Sequence, residues 1–365
     1  GLVIVQFTIS IIFIISTIIV YQQVNHVKSR DLGFEKENLI RLPVNGDIIK
    51  NFNPIQQDMI ASGKVENIGL NNSEVLSGGN NGSGFEWKGG TDTEDILISF
   101  RYISSDFFET AGMKIIEGRG FEDDLGNNNI IVTETFAGLM GEGSAVGKTI
   151  MRDGDGYTVI GVIKDYLYGD MYGTSDPVMF FNYHGDARHL YVKTKSGVAI
   201  TEALAAMEDV MKKHNPAFPF EYDFVDDAFN ARFKSEKLVG NLSQIFALLA
   251  IVISCLGLFG LAAFTAEQRR KEIGVRKVLG SSVKGIVQLL SKDFMRLVIF
   301  ALLIAGPIAW WMMQNWLESF AYRIEINWWV FVIAGLSAIC IALLTVSFQA
   351  VKAAVANPVK SLRTE

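Results

Sequence analysis

Four stretches of the chain carry almost nothing but apolar side chains: Leu2–Val20, Leu238–Phe264, Phe294–Trp316 and Trp328–Ala350. A bilayer core of about 30 Å needs about 20 apolar residues at the helical rise, and each stretch is long enough. Backbone groups in lipid must be satisfied within the segment, which selects helices for continuous runs of this kind. The pattern therefore predicts spans over 1–20, 238–264, 294–316 and 328–350. Pro307 falls inside the third span and removes a backbone donor there, so a kink is expected.

Between the first two spans the pattern changes. Alternating or β-branched runs at Leu39–Leu42, Ile96–Tyr102, Asn129–Val132, Thr158–Ile163, Val178–Phe181 and Leu190–Thr194 predict strands. Helices are expected at Pro54–Ala61, Ser105–Ala111, Glu134–Met140 and Thr201–His214, the last with Leu204, Met207 and Met211 on one stripe. Ser77–Gly84 and Gly154–Gly156 read as loops, and Asp226–Glu236 as a helix running unbroken into the second span. The expected fold is thus an α-helical membrane protein with four transmembrane helices plus a mixed α/β extracytoplasmic domain over 21–237.

Composition agrees with this division. Hydrophobic residues make up 49% of 365 residues while charged residues still reach 20%, a pairing that requires the apolar residues to be concentrated in segments. The first run has no basic flank and no small-residue cleavage site, so it does not read as a secretory signal peptide. The chain begins with Gly1, and we read it as a piece of a longer polypeptide that starts just inside a membrane helix. Both cysteines, Cys255 and Cys340, fall in spans, leaving the 21–237 domain no thiol for a disulfide.

Charge sets the orientation. Residues 266–296 hold eight basic residues against three acidic ones, whereas the 317–327 loop has Arg323 as its one basic residue. Positive loops stay cytoplasmic, which places the 266–296 segment and the C-terminal tail inside and 21–237 outside. That external segment carries 21 basic and 33 acidic residues, and an acidic surface argues against nucleic-acid binding. Trp310, Trp311, Trp316, Trp328 and Trp329 fall at the expected external interface, where amphipathic rings prefer to sit.

Several stretches of the external domain invite a chemical reading and fail it. Gly147-Lys148-Thr149 resembles the end of a phosphate-binding loop, but Glu142 stands where its first glycine belongs, so a turn into a strand is expected. Asp153-Gly154-Asp155-Gly156 looks like the start of a calcium loop, yet Lys164 occupies the position of the bidentate glutamate, which favours a hairpin turn. His184 and His189 have no third ligand nearby and read as surface histidines. Glu122-Asp123-Asp124 reads as solvated loop. No nucleophile–base pair stands out, so catalytic, cofactor-binding and metal residues are none, and the chain is expected not to be an enzyme.

The richest stretch is the elbow over 266–293, a short basic helix leaving the membrane, with Gly280 where a C-terminal cap belongs and Ser281 or Ser282 able to cap the next helix. Its apolar residues Ile273, Val275, Val278 and Leu279 give it a surface that water alone does not suit. A polybasic lipid anchor and a docking helix for a cytoplasmic partner both fit the charge. Gly257 and Gly260 in the second span are candidates for close helix packing, with Pro307 beside them as a helix-shaping residue.

The elbow motif, Arg269-Arg270-Lys271-Glu272-Ile273-Gly274-Val275-Arg276-Lys277-Val278-Leu279-Gly280, resembles the hallmark of FtsX-like ABC-transporter permeases. One helix, a large external domain and three further helices match that family's layout. Gly161-Val162-Ile163-Lys164-Asp165-Tyr166 and the Asn357-Pro358-Val359 ending look like MacB-type permeases of the Bacteroidetes tandem kind, of which this chain resembles the C-terminal half. The resemblance implies a MacB-like periplasmic core domain over 21–237 and an FtsX-like permease domain over 238–365. It implies an ATPase-coupling elbow built from Arg269, Arg270, Glu272, Ile273, Gly274, Arg276, Lys277, Leu279 and Gly280. It further implies an inner-membrane location and a separate cytoplasmic ABC ATPase carrying ATP-Mg, with no cofactor on this chain. The other partners implied are the other permease half or a second copy, a periplasmic adaptor or outer-membrane channel, and the lipid bilayer. Output would be mechanotransmission to the periplasm for export of peptides or antimicrobials or for lipoprotein handling. A membrane-anchored sensor or adaptor that binds a ligand or a cell-wall hydrolase is the rival reading.

Overall fold

Long apolar helices cannot share a core with a polar sheet, and in the computed structural model the chain divides accordingly. Gly1–Ser29 groups with the chain from Lys234 onward, and Arg30–Phe233 forms a second unit. The structure describes residues 1–88, 96–122, 128–269, 272, 275–276 and 282–355.

The helical unit is built from α1 (Leu2–Lys28) and three later helices, α7 (Lys234–Gln268), α8 (Val283–Leu317) and α9 (Trp329–Val355). Among the described residues, four segments are long and apolar enough to cross a membrane: Leu2–Lys28, Lys234–Gln268, Ser291–Leu317 and Trp329–Gln349. Their shared core is made of side chains spaced one helical turn apart. Ile11, Ile15 and Ile19 of α1 meet Ala301, Ala305 and Ala309 of α8 and Ala334, Ala338 and Ala342 of α9. The alanine stripes let backbones approach closely, which matters where lipid supplies no hydrophobic drive between helices. Polar side chains add specific links: Ser10 and Ser254 hydroxyls lie 3.1 Å apart in the buried contact of α1 with α7. Pro307 occupies an exposed face of α8, and the helix continues on both sides of it. Trp310, Trp311 and Trp328 are all more than half exposed on the helical unit, as lipid-facing rings should be.

The second unit carries a twelve-stranded mixed sheet and five short helices among its described residues. The strands are β1 (Leu39–Pro43), β2 (Val65–Asn71), β3 (Asn80–Gly82), β4 (Glu86–Trp87), β5 (Ile98–Ile103), β6 (Ile115–Gly118), β7 (Asn129–Thr133), β8 (Thr149–Arg152), β9 (Asp155–Ile163), β10 (Val178–Asn182), β11 (His189–Thr194) and β12 (Asp223–Phe224). The helices are α2 (Phe52–Ala61), α3 (Phe107–Thr110), α4 (Glu134–Leu139), α5 (Ile200–His214) and α6 (Val225–Ala231). The main path of the sheet runs β12-β1-β11-β2-β5-β10-β7-β9-β8-β4.

The sheet has two halves with separate cores. On one side α2 and α5 cover β1, β2 and β11 through Ile55, Met59, Met207 and Met211. On the other, Phe136 and Met140 pack over Ile130, Val132, Ile150 and Val159. The halves join at β2 and β5, which share a single ladder pair, Asn71 with Ile103. Side chains reinforce this seam: the Tyr102 N–H donates to Asn72 Oδ1 and the Leu70 N–H to Ser104 Oγ. On one face an aromatic layer crosses it, with Phe107 against Tyr191 and Phe108 against Phe180.

Three expectations need correcting. The helix leading to the second span is interrupted at Arg232 and Phe233, between α6 and α7, because Phe233 turns inward to full burial against Phe229 and Tyr172. The Ser77–Gly84 loop contains β3, which pairs with β5. His184 and His189 are half-buried, and burial lowers the basicity of both. The Asp153-Gly154 pair does form the hairpin turn between β8 and β9, with both residues at positive φ (53° and 91°) as a type I′ turn requires.

Buried phenols give this unit a base-sensitive stability. Burial pushes Tyr166 up to about 12 and holds Tyr191 well above the usual tyrosine value. In the unfolded chain both ionise near ~10. Between that pH and the native values, the unfolded state has released protons that the native state retains, so stability falls as pH rises; below ~10 both states are protonated and the contribution is constant. The expected result is that phenolate absorbance from these two residues appears only together with base unfolding. Smooth titration of every tyrosine near ~10 in the folded protein would refute it.

Candidate functional site

The elbow follows α7, whose last turn passes into Arg269 through its N–H donating to the Thr265 carbonyl at 3.0 Å. Arg269 Nη2 then reaches Asp293 Oδ2 of α8 at 3.2 Å, so the departing and returning helices are tied by one ion pair. Glu272 and Arg276 pair at 2.9 Å with the i,i+4 spacing of neighbours on one helical face. These groups are well exposed, and pairs of that kind contribute about 0–1 kcal/mol, so they orient the elbow more than they stabilise it. Ser282 caps the returning helix: its Oγ accepts from the Gly285 N–H at 3.3 Å, choosing between the two candidate serines. Val275 lies next to the Glu272–Arg276 pair and is 50% exposed. The elbow residues Arg270, Ile273, Gly274, Lys277, Leu279 and Gly280 lie outside the described residues.

The two packing glycines separate. A Cβ on Gly257 would stand 2.6 Å from Gln6 Oε1 of α1, so the glycine is what allows that approach. A Cβ on Gly260 would meet nothing within 4 Å, because Gly260 faces away from the other helices of this chain. Among the described residues, nothing packs against Gly260. Gly335 of α9, which the pattern alone did not single out, does serve as a packing residue, with Leu302 Cδ2 2.9 Å from the position of its missing Cβ. Its one signal was a glycine inside an otherwise bulky apolar run.

Polar side chains also fix the connection between α8 and α9. Gln23 is fully buried, donates from Nε2 to the Tyr322 carbonyl and accepts at Oε1 from the Ile324 N–H, both at 2.9 Å. The His26 ring stacks on Tyr322 with centroids 4.4 Å apart. A glutamine just beyond the apolar run was the visible sign of this clamp.

The second unit assembles no catalytic constellation among its described residues. Among the described residues, no group of three or more His, Cys, Asp or Glu side chains is placed to hold a metal ion. Lys148 of the Gly147-Lys148-Thr149 turn donates to the Met140 and Glu142 carbonyls, so two of its three N–H donors are directed to the main chain. Asp123 and Asp124 of the acidic run lie outside the described residues, while Glu122 pairs with Arg119 at 3.2 Å. A polar groove of about 520 Å³ is lined by Asn72, Ser73, Tyr102, Asp186, Arg188 and His189. A smaller, mainly apolar cavity of about 310 Å³ lies around Arg41, whose guanidinium pairs with Glu74 and Asp223.

Four candidate spans and a separate α/β unit define a multi-pass membrane protein with a large extramembrane domain. Comparison with known proteins carries this further. The model of the MacB-like periplasmic core domain matches residues 2–210, and that of the FtsX-like permease C-terminal matches residues 244–358. The chain therefore belongs to the FtsX-like, MacB-type ABC permease family. The macrolide export ATP-binding/permease protein MacB of Chromobacterium violaceum is 25% identical over 292 residues, which are 74% of this chain and 44% of that protein. Its namesake from Neisseria gonorrhoeae is 23% identical over 250 residues, covering 62% and 38% respectively. The chain thus spans less than half the length of these relatives. Among solved structures, the periplasmic region of MacB from Actinobacillus actinomycetemcomitans aligns with a TM-score of 0.37 and 17% identity, covering 57% of this chain and 98% of that one.

Proposed function

We propose that this chain is the permease subunit of an ABC system in the inner membrane, working with a separate cytoplasmic ATPase that holds and hydrolyses ATP-Mg. The helical unit spans the membrane, and the α/β unit stands in the periplasm. ATP-driven closure of the ATPase moves the elbow, and the movement passes along α7 to the periplasmic unit. This is mechanotransmission, with no catalytic step on the chain itself. A second permease half or a second copy completes the membrane assembly, and a periplasmic adaptor or outer-membrane channel receives the output. The relatives are named for macrolide export. The net negative charge of segment 21–237 favours cationic peptides or protein partners as the cargo or contact here.

The observation that carries the reading is the elbow. An acidic residue, Glu272, is held on its surface beside a half-exposed Val275, between two helices tied by Arg269 and Asp293. A lipid anchor gains about 1 kcal/mol per basic residue near an anionic surface and has no use for a carboxylate. A docking surface does, because a partner's basic group can pair with it.

The two therefore respond oppositely to Glu272→Lys, which strengthens an anchor and weakens docking. Ile273→Asp adds a second probe, since an unpaired charge in a desolvated contact is strongly unfavourable. The assay is co-purification of the full-length permease with its ATPase, together with ATP turnover in the reconstituted complex. Both variants are expected to lose complex and stimulated turnover while still inserting in the membrane. Parental complex and turnover in both would reduce the elbow to an anchor.

A further inference from the structure

Two chain segments lead from the α/β unit to the spanning helices. One begins at Arg30, just after α1, and the other is Arg232-Phe233, just before α7. Both are tied to one loop, residues 164–177, which connects β9 to β10. On the first segment, Arg30 Nη1 donates to the Gly173 carbonyl at 2.7 Å, and the Leu167 N–H donates to the Leu32 carbonyl at 2.8 Å. On the second, Arg232 Nη1 donates to the Gly169 carbonyl at 3.1 Å, and the Phe233 ring meets Tyr172 edge-on with centroids 6.0 Å apart.

The other arm of Arg232 points elsewhere. Its Nη2 donates to Ser77 Oγ at 2.9 Å, and Ser77 belongs to the loop that follows β2. One guanidinium thus joins a loop from each half of the sheet, close to the seam where β2 and β5 share one ladder pair. The two loops also touch directly, through the Gly169 N–H donating to the Leu76 carbonyl. The fork geometry of arginine suits this double task, and a point-like ammonium does not. The acceptors are a carbonyl and a hydroxyl, so the link can be remade without stranding a carboxylate. The interruption of the helix at Arg232-Phe233 is what allows both side chains to turn onto these loops.

We propose that Arg232 is a positioning residue that converts displacement of the α7 root into a change in how the two halves of the sheet stand to each other. Arg30 holds the α1 root to the same loop. This inference rests on the coupling reading given above and names the place where the movement enters the periplasmic unit. It differs from simple fold-stabilising contact in one respect. Loss of Arg232 removes the nucleotide-driven movement and leaves the resting arrangement in place.

The test uses the full-length permease with its ATPase in lipid nanodiscs, with Cys255 and Cys340 replaced by serine. Spin labels go at Thr201 on α5 and Asp155 on β9, one on each half and both exposed. Distance distributions are compared between the nucleotide-free and vanadate-trapped states. In the parent the distribution is expected to shift on trapping. Arg232→Ala and Ser77→Ala are expected to keep the parental nucleotide-free distribution, continue to hydrolyse ATP and lose most of the shift. A full parental shift in both variants overturns the inference and leaves Arg232 as fold-stabilising contact. If Arg232→Ala broadens the nucleotide-free distribution, Ser77→Ala decides the matter, because it removes one arm and leaves the guanidinium. A parent that does not shift on trapping also overturns the inference, because the two halves then do not move against each other, while the coupling reading stands or falls separately on the complex formation and ATP turnover of the elbow variants.

Discussion

Replacing Gln23 by leucine is expected to lower the stability of the detergent-purified chain by about 1–3 kcal/mol, the cost of leaving buried main-chain groups without partners. Leucine fills a similar volume and is at home on an apolar helix, so the loss isolates the amide. Gln23 presents a donor and an acceptor to two groups in the same connection, the Tyr322 carbonyl and the Ile324 N–H, much as a strand would. Gln23→Glu sets a carboxylate against the Tyr322 carbonyl in a buried site, so when ionised it should destabilise at least as much as leucine. Thermal unfolding of the purified chain reads the effect. An unchanged Tm for Gln23→Leu would mean that the stacked His26–Tyr322 rings alone hold the connection.

The second large effect is expected at Gly257. Leucine there must push the Gln6 side chain aside, and because both residues are half-buried and the Gln6 amide ends a flexible chain, the cost is expected at the low end of the roughly 1–3 kcal/mol seen for overpacking. Gly257→Ala is a finer probe. Its Cβ would stand 2.6 Å from Gln6 Oε1, 3.4 Å from Cδ and 3.5 Å from Nε2, so the glutamine side chain must move. Gln6→Ala should rescue Gly257→Ala, and absence of rescue in thermal unfolding would place the strain elsewhere. Gly260→Leu provides the contrast, because its Cβ direction is open. That variant is expected to be neutral in the purified single chain. Reduced assembly of the full complex with unchanged stability of the chain would mark Gly260 as lying under another helix of the assembly.

The parts of the fold that were legible in the sequence are those where one physical signal dominates. The four apolar runs are unmistakable because lipid tolerates nothing else over that length. Strands β7, β10 and β11 are buried along nearly their whole length and stood out as β-branched or aromatic runs. Strand β2 did not, since Asn67, Gly69 and Asn71 interrupt its apolar residues even though all three positions are buried. The side-chain oxygens of the two asparagines are answered locally, Asn67 Oδ1 by the Ile68 N–H and Asn71 Oδ1 by the Ser73 N–H, so these polar residues sit in buried positions that an apolar pattern does not report. The break at Arg232-Phe233 was hidden for a different reason. Neither residue is a helix breaker, and the stop comes from what their side chains reach on distant loops. In the elbow, charge spacing made Glu272 and Arg276 visible as a pair on one face, whereas the tie from Arg269 to Asp293 depends on how two helices return to each other. Gly257 and Gly260 look alike in sequence and differ only in what stands opposite them.

The order of strands across the sheet bears on how the α/β unit is made. Strands β3 to β10 are contiguous in the chain and hold one half of the sheet, whereas β1 and β2 find their partner in β11, which is synthesised long after them. The early strands must wait with unpaired edges while the inserted half condenses around Phe136 and Ile150. Non-local pairing of this kind is slow and leaves sticky edges exposed in the meantime. The interval before β11 closes the gap between β1 and β2 is therefore when these two edges are open to wrong pairing.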